Sequence, residues 1–234
     1  MSTSPTPLTL EELTRVAYER RFPELRRVRD NDPTLTLLSW HSRRVDHSLL
    51  AVLAADLRGN EHVKLLNLNR NHEVTDSCVS EIEAVLPHCA IEHVRVGWTA
   101  VSKPKAAAIH HACMRKQLAR LRADDASLVE LRWNYLVPEG HADPAMPGLL
   151  CDALRGNTHL LKLDLCHYPR AGDVVERLPA VLPATRLEQV RCTRVGPGPG
   201  PQLHRLCEIN RRVRLSLESH RPYQRLLLVF PKRK

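Results

Sequence analysis

The chain has 234 residues, 43% of them hydrophobic, and a formal net charge of +9. This composition is that of a folded protein and argues against global disorder, and since no stretch approaches 18 apolar residues we expect no membrane span. The basic balance favours an acidic partner, which could be a protein, a nucleic acid or a lipid headgroup. The N-terminus lacks an apolar signal region and the seven cysteines include no Cys-x-x-Cys pair, so we expect a cytoplasmic protein with reduced, buried thiols.

The first predicted element is a helical cap over residues 1–31. Thr9 and Glu12 stand at the spacing of a capping box, and Phe22-Pro23 ends the helix that they begin. A second short helix is expected from Pro23 to about Val28. Because the end of a repeat array exposes a core edge, we interpret this segment as a cover for that edge rather than as a separate functional helix. The apolar positions at helical spacing are Leu10, Leu13, Val16 and Ala17.

A repeated pattern follows the cap. The phrase Leu-Arg-Gly-Asn occurs at 57–60 and again at 154–157, each time as a helix stop followed by a strand. The strand pattern, apolar-x-x-apolar-x-apolar, occurs six times, with 28, 28, 37, 32 and 27 residues between first positions. Since such a unit holds one short strand and one helix, we predict a stacked array of six to seven units over residues 32–218. The predicted buried positions are Leu35, Leu38, Trp40, Val63, Leu66, Leu68, Ile91, Val94, Val96, Leu128, Leu131, Trp133, Leu160, Leu163, Leu165, Leu187, Val190 and Cys192, with a degenerate seventh set at Val213, Leu215 and Leu217.

The helices of the array are predicted from apolar spacing and from their stop signals. One helix ends at Gly59, a second extends from Thr75 to Leu86 before a proline, and a third spans 104–122. A fourth is expected to begin at Asp143-Pro144, as N-cap and first helical residue, and to end at Gly156. A fifth begins near Asp173 and is expected to be short or kinked, because Pro179 lies inside it.

The repeats resemble leucine-rich repeats of the ribonuclease-inhibitor class. This resemblance implies an α/β fold, a short right-handed solenoid with a parallel concave sheet and convex helices. Asn71 occupies the position of that family's ladder asparagine, whereas Arg43, Leu136 and Tyr168 hold the equivalent positions, so a continuous ladder is not expected.

A narrower resemblance is to the leucine-rich domain of tropomodulins. It rests on the helical lead-in and on the turn Asn31-Asp32-Pro33 that opens the array. Nothing in the chain matches the actin-binding helices that precede that domain in tropomodulins.

The predicted sheet has one open face, because side chains alternate along a strand. We expect its polar residues to bind a partner, and four of them, Arg95, Arg132, Lys162 and Arg191, to form a positive track interrupted by Glu130 and Asp164. A groove of mixed sign favours a protein carrying both charges over a polyphosphate; ordinary solvated sheet residues are the alternative. The candidate binding residues are His41, Asn67, Asn69, His93, Arg95, Glu130, Arg132, Asn134, Lys162, Asp164, Gln189 and Arg191.

Three further segments lie outside this face. The third helix carries a possible basic ridge, for which a solvated helix surface is the favoured alternative, and His110-His111 is interpreted as surface residues. The prolines of 196–201 exclude a phosphate-binding loop, and the apolar and basic tail, 219–234, either covers the end of the array or docks on a partner. The ridge residues are Lys105, Arg115, Lys116, Arg120 and Arg122.

The sequence contains no catalytic, metal-binding or cofactor-binding motif, so we expect no enzyme activity, no metal and no cofactor. The predicted function is a protein–protein interaction module, an adaptor or structural subunit of a larger intracellular assembly, with the cytoskeleton as first candidate. We expect no membrane or small-molecule partner. The alternative is an RNA-binding or ribonucleoprotein subunit, suggested by the net charge and by the terminal Pro-Lys-Arg-Lys. A ribonuclease-inhibitor-like regulator follows from fold analogy alone.

Overall fold

A computed structural model describes residues 9–133, 137–138, 140–182, 185–187, 189–192 and 227–228. The chain divides into two compact units between Cys113 and Met114, and each unit is described by itself. Within these ranges no helix combines the length and apolar character needed to cross a bilayer.

The first unit contains a parallel three-stranded sheet in the order β1-β2-β3. Leu38, Leu66 and Val94 are aligned across it, each at the centre of its strand. The strands are β1 (Leu37–Ser39), β2 (Leu65–Asn67) and β3 (His93–Arg95), and the helices are α1 (Leu10–Arg21), α2 (Glu24–Arg29), α3 (His47–Leu57), α4 (Asp76–Val85) and the start of α5 (Lys103–Arg122).

The second unit contains the remainder of α5 and a parallel four-stranded sheet in the order β4-β5-β6-β7. Leu131, Leu163 and Val190 are aligned in the same way as the central residues of the first sheet. The strands are β4 (Glu130–Arg132), β5 (Lys162–Asp164), β6 (Gln189–Arg191) and β7 (Leu227–Leu228), and the helices are α6 (Met146–Leu154) and α7 (Ala171–Arg177).

The predicted buried positions form the core of both units. All eighteen residues of the six strand patterns are buried, and the most exposed of them, Val96, has 7% of its surface accessible. The predicted fold class, an α/β leucine-rich repeat with parallel strands, is therefore confirmed in each unit. Trp40 and Trp133 are fully buried, as predicted. The indole N–H of Trp133 donates to Gln117 Oε1 at 3.0 Å, whereas that of Trp40 has no partner among the described residues.

Local signals explain where most of the helices begin and end. Thr9 and Glu12 form the predicted capping box at the start of α1, and the Asp46 carboxylate caps α3 by accepting from the Leu49 N–H at 2.8 Å. After α3, Gly59 takes a φ of 77°, which costs a glycine little because it has no Cβ. The predicted proline breaks also hold, since α4 and α7 each end in a short 3-10 turn, Leu86–His88 and Leu178–Ala180.

The predicted start of the fourth helix was wrong. Asp143 does not cap the helix: it lies three residues before Met146, where α6 begins. The Asp143 carboxylate accepts from the Ala145 N–H at 2.9 Å, and this bond closes a local turn over residues 143–145. Such a side-chain-to-backbone turn competes with helix initiation at the same aspartate.

Helix α1 packs polar residues against the rest of the first unit and exposes apolar residues to solvent. Arg15 forms an ion pair with Asp56 of α3, and the Tyr18 hydroxyl donates to the Asp46 carboxylate at 3.2 Å. The residues whose spacing predicted the helix lie on the opposite side, where the exposed fractions are 80% for Leu10 and 51% for Leu13. Helix α1 therefore packs through its polar face, the reverse of what an amphipathic cap requires.

The asparagine of the repeated phrase Leu-Arg-Gly-Asn links two helices in each unit. In the first unit it follows α3 and bonds to α2, and in the second it follows α6 and bonds to α5. Asn60 is 3% exposed; its amide donates to the Val28 carbonyl of α2, and its oxygen accepts from the N–H groups of His62 and Val63. Asn157 makes the same three bonds in the second unit, to Leu121 of α5 and to the N–H groups of His159 and Leu160. A single buried side chain thus satisfies three backbone groups in each unit.

The turns that follow α2 and α5 share a second construction. After α2, the Asp32 carboxylate accepts from Arg27 at 2.7 Å and from the Thr34 N–H and hydroxyl. After α5, Asp125 accepts in the same way from Arg120 and from Ser127. Hydrogen bonds from Thr34 and from Ser127, with those of the arginines, lower the pKa of both aspartates to about 2. The two units therefore repeat each other over helix, turn and strand.

The equivalent turns after β2 and β5 differ between the two units. Asn71, 1% exposed, accepts from the N–H groups of Arg43 and Val45 and donates to the carbonyls of Trp40 and Leu68. In the second unit Tyr168 holds the corresponding position and packs edge-on against Trp133, with ring centroids 5.5 Å apart. Burial raises the pKa of the Tyr168 hydroxyl, which has no partner among the described residues. The predicted gap in the asparagine ladder is confirmed here, where an aromatic contact occupies the site.

The interpretation of His110 as a surface residue was wrong. His110 of α5 is 7% exposed, and its Nε2 lies 3.1 Å from the Val94 carbonyl of β3, to which it donates. The helical spacing that predicted the buried stripe of α5 includes Ile109 and Cys113, and His110 lies beside Ile109 at the edge of that stripe. Burial lowers the pKa of the His110 imidazole to about 4.

We expect this buried imidazole to make the first unit sensitive to acid. The folded pKa lies below the ordinary value of about 6.5, so the unfolded chain binds the extra proton first as the pH falls. The stabilisation is complete above pH 6.5 and is lost between pH 6.5 and 4, which lowers the free energy of unfolding by about 3 kcal/mol at pH 4. The measurement is urea unfolding at pH 7 and pH 4 for the wild type, for His110→Gln, and for His72→Gln, an exposed control. A wild-type decrease that His110→Gln leaves unchanged would contradict this expectation.

Part of the predicted array lies outside the described residues. The degenerate seventh pattern and the loop of 196–201 belong to this part, as does most of the tail. Within the tail, Leu227–Leu228 form β7 and pair in parallel with β6. The predicted boundary between residues 218 and 219 stays a prediction.

Candidate functional site

The open face of the second sheet carries two cross-strand rows of polar side chains. The first row aligns Glu130, Lys162 and Gln189, and the second aligns Arg132, Asp164 and Arg191. All six side chains are exposed or half-buried, while the central residue of each strand is buried beneath them. The polar side chains therefore lie on the open face, as alternation along the strands predicted. In the second row the charges alternate between positive and negative.

Glu130 and Arg132 are bound to each other on this face. The Arg132 guanidinium donates two hydrogen bonds to the Glu130 carboxylate, at 2.9 and 3.0 Å, a bidentate geometry that fixes both side chains. These hydrogen bonds lower the pKa of Glu130. The side chain of Asp164 supports its own turn, because it accepts from the Cys166 N–H at 2.9 Å. Lys162 and Arg191 are exposed, and neither forms an ion pair with another described residue.

The open face of the first sheet differs in chemistry. Its first row contains Leu37, Leu65 and His93, of which Leu37 is 52% exposed. Its second row contains Ser39, Asn67 and Arg95. This face is therefore neutral and partly apolar at one end and carries an arginine at the other.

Of the predicted binding residues at the ends of the first sheet's strands, one is exposed to solvent and two form hydrogen bonds that hold the turns. His41 is exposed, whereas the Asn69 side chain accepts from the Gly97 N–H at 2.7 Å and fixes one turn against the next. Asn67 accepts from the Asn69 N–H at 3.1 Å. These two asparagines thus shape the edge, and the equivalent position in the second sheet, Asn134, lies outside the described residues.

The turns after the strands place four side chains in a strained backbone conformation. The third residue after β1, β2, β3 and β5 has a φ between 53° and 67°, the left-handed region that costs a side-chain-bearing residue about 1–2 kcal/mol. These positions hold Ser42, Arg70, Trp98 and His167, and all four are exposed.

Two of these residues form a contact that the sequence pattern did not single out. The Arg70 guanidinium carbon lies 5.3 Å from the centroid of the Trp98 ring, a cation–π geometry, and Trp98 is 68% exposed. The spacing of 28 residues between Ser42, Arg70 and Trp98 was the available signal, because it equals the repeat length and marks them as equivalent turn positions.

The predicted basic ridge of α5 is largely neutralised by internal ion pairs. Lys105 Nζ lies 2.6 Å from Glu83 in the first unit. In the second unit, Arg120 Nε lies 2.7 Å from Asp125 and Arg115 lies 3.4 Å from Asp143. Lys116 is half-buried and Arg122 is exposed. These ion pairs favour the solvated helix surface as the interpretation of this ridge.

No described group of three His, Cys, Asp or Glu residues has the arrangement of a metal site. Six of the seven cysteines lie in the described part of the chain, and five of these six are buried. Burial raises the pKa of the Cys151 thiol, the direction expected of an unreactive core cysteine.

Comparison with known proteins gives matches in structure only. No protein-family model matches the chain, and no curated protein matches it in sequence. Among solved structures, it is similar to leiomodin-1 actin-binding site 2, with 17% identity, a TM-score of 0.34 and coverage of 84% of this chain and 95% of that one. It is also similar to the tropomodulin C-terminal domain of Caenorhabditis elegans, with 15% identity, a TM-score of 0.43 and coverage of 84% and 98%. At these values the function of the chain has to be argued from its own residues.

Proposed function

We propose that the chain is a non-catalytic protein-interaction module, an adaptor or structural subunit of a larger intracellular assembly, with the cytoskeleton as the first assembly to test. One observation carries the proposal. The open face of the second sheet holds six polar side chains in two cross-strand rows, above a core built from the repeated apolar residues. Repeat proteins of this construction commonly bind partners on such a face.

The chemistry of the rows supports a protein partner over a polyphosphate. Glu130 and Asp164 would repel a phosphate backbone, whereas a protein surface of both signs can pair with them and with Lys162 and Arg191. The bidentate pair between Glu130 and Arg132 is already ordered before binding. An ordered pair loses less conformational entropy when a partner docks.

Reversing the charges at the centre of this face is expected to abolish partner binding. The test variant is Lys162→Glu with Asp164→Lys. The matched control is Asp152→Lys with Arg155→Glu, an exposed ion pair at the C-terminal end of α6 with its charged atoms 3.7 Å apart. Capture of partners by the full chain, quantified by mass spectrometry, should fall at least about tenfold for the face variant and less than about twofold for the control. Equal capture by the wild type and the face variant would remove the proposed site.

A salt titration separates the proposal from RNA binding. A docked protein interface should weaken mildly between about 50 and 200 mM salt, whereas binding to a polyphosphate should weaken by orders of magnitude. Nuclease treatment before capture provides a second measurement. Loss of the captured material after nuclease, together with a steep salt dependence, would favour the ribonucleoprotein alternative.

A further inference from the structure

We propose a second binding surface in the first unit, the turn edge, which takes an acidic protein segment with an apolar side chain beside its carboxylates. The turn edge is defined by Arg44, Arg70, Arg95 and Trp98, at or beyond the ends of β1, β2 and β3. This inference rests on the proposed function, because it assigns a class of partner to an interaction module. Arg44, Arg70 and Trp98 are not among the residues that the sequence pattern placed on the open face.

Trp98 has the position of an anchor residue. It is 68% exposed, whereas Trp40 and Trp133, the other two tryptophans, are fully buried. Tryptophan and arginine are the residue types over-represented among the side chains that dominate binding energies at protein interfaces. The Arg70 guanidinium lies over the Trp98 ring and limits the orientations that the ring can adopt.

The backbone that presents Trp98 is fixed before a partner arrives. The Arg70 N–H donates to the Gly97 carbonyl at 2.9 Å, and the Ser42 N–H donates to the Asn69 carbonyl at 3.0 Å. A Cβ at Gly97 would lie 3.2 Å from Asn69 Oδ1, so a side chain at this position would crowd the Asn69 side chain. Such preorganisation reduces the entropy lost on binding.

The charge of the turn edge indicates an acidic occupant. Arg44, Arg70 and Arg95 are exposed, and within the described part of the chain none of them forms an ion pair with a carboxylate. Among the acidic residues near these turns in sequence, Asp46 caps α3 and the Asp76 carboxylate accepts from the Ser102 N–H at 2.7 Å, whereas Glu73 is exposed. An edge with three exposed arginines outside ion pairs, one of them stacked on an exposed tryptophan, favours carboxylates next to an apolar group.

A single exposed aromatic ring favours a protein segment over single-stranded RNA. Sequence-tolerant RNA binding stacks successive bases on several aromatic side chains. Among the Phe, Tyr and Trp side chains in the described ranges, Trp98 alone is exposed. The exposed Leu37 on the same sheet adds apolar surface that a polypeptide can cover.

The test uses the full chain and three fluorescein-labelled probes of equal length. The first is a peptide of four Asp-Glu-Leu repeats, the second replaces its acids with Asn and Gln, and the third is a uridine oligonucleotide. By anisotropy, the acidic peptide should bind at least about tenfold more tightly than the neutral one, and Trp98→Ala and Arg70→Gln should each weaken it about tenfold. The matched controls, Val129→Ser and Arg58→Gln, remove an exposed apolar residue and an exposed arginine elsewhere and should change affinity less than about twofold.

Quenching of tryptophan fluorescence provides a second measurement of the same surface. Because Trp98 is the exposed tryptophan, the acidic peptide should protect the wild-type fluorescence from iodide, and Trp98→Ala should show little quenching with or without peptide. No binding of the acidic peptide at about 1 mM, equal binding by Trp98→Ala, or binding of the oligonucleotide alone would overturn the inference. Partner capture lost in the Lys162→Glu, Asp164→Lys variant, together with no binding of the acidic peptide to the wild type, would overturn it while the proposed function stands.

Discussion

Replacing Asn71 with alanine is expected to lower the free energy of unfolding by about 3–4 kcal/mol, because it leaves several buried backbone groups without partners. Asn71 accepts from two N–H groups and donates to the carbonyls of Trp40 and Leu68, at 2.8–3.1 Å. Alanine removes all four hydrogen bonds, and water cannot replace them at a site that is 1% exposed. Urea unfolding followed by circular dichroism measures the loss.

The control for this variant is Asn67→Ala in the same repeat. Asn67 is half-buried, and its side chain accepts from one backbone N–H and lies 3.4 Å from the Ser39 hydroxyl. Its replacement should cost less than about 1 kcal/mol, since the exposed N–H can bind water. Similar losses for both variants would show that Asn71 does not stabilise the turn in the way described.

Replacing either asparagine of the repeated phrase should have nearly the same effect in both units. Asn60→Ala and Asn157→Ala each remove two buried and one half-buried hydrogen bond to the backbone, which predicts a loss of about 3 kcal/mol. The lengths match closely: the two amides donate at 2.8 and 3.1 Å, and the two oxygens accept at 2.7–3.1 Å. The measurement is again urea unfolding, with one variant in each unit.

The neighbouring exposed residues provide matched controls. Glu61→Ala and Thr158→Ala alter the residue directly after each asparagine and should stay within about 1 kcal/mol of the wild type. A large loss in one unit with none in the other would mean that the repeated phrase no longer performs the same structural role. Losses below 1 kcal/mol in both would contradict the proposed contribution of the bonds.

The sequence predicted the strands and their buried residues well, because a strand in a leucine-rich repeat has to bury the same positions in every unit. The pattern ending in Cys192 was as buried as the pattern ending in Trp40, although the side chains differ greatly in size. The asparagine of Leu-Arg-Gly-Asn was visible in the sequence, but its link to the preceding helix was not. That link joins residues 32 positions apart in one unit and 36 in the other, and apolar spacing does not report such bonds.

The errors arose where a polar contact decided the structure. His110 is buried because its ring reaches the Val94 carbonyl, and hydropathy alone places a histidine pair on the surface. Helix α1 has the predicted bounds, but its polar face points inward, because Arg15 pairs with Asp56 of α3 and Tyr18 donates to Asp46, the N-cap of α3. The cation–π pair of the turn edge was missed for a similar reason: it depends on the backbone conformation of two turns that the strand pattern does not describe.

At the left-handed turns, thermal stability and partner recognition favour different residues. Arg70, Trp98, Ser42 and His167 occupy positions where glycine would be relaxed, so an engineer selecting only for heat resistance would be led to glycine at all four. Each such change would relieve backbone strain of about 1–2 kcal/mol and remove a solvent-facing side chain. A variant stabilised in this way would lose the exposed side chains that distinguish one strand end from the next.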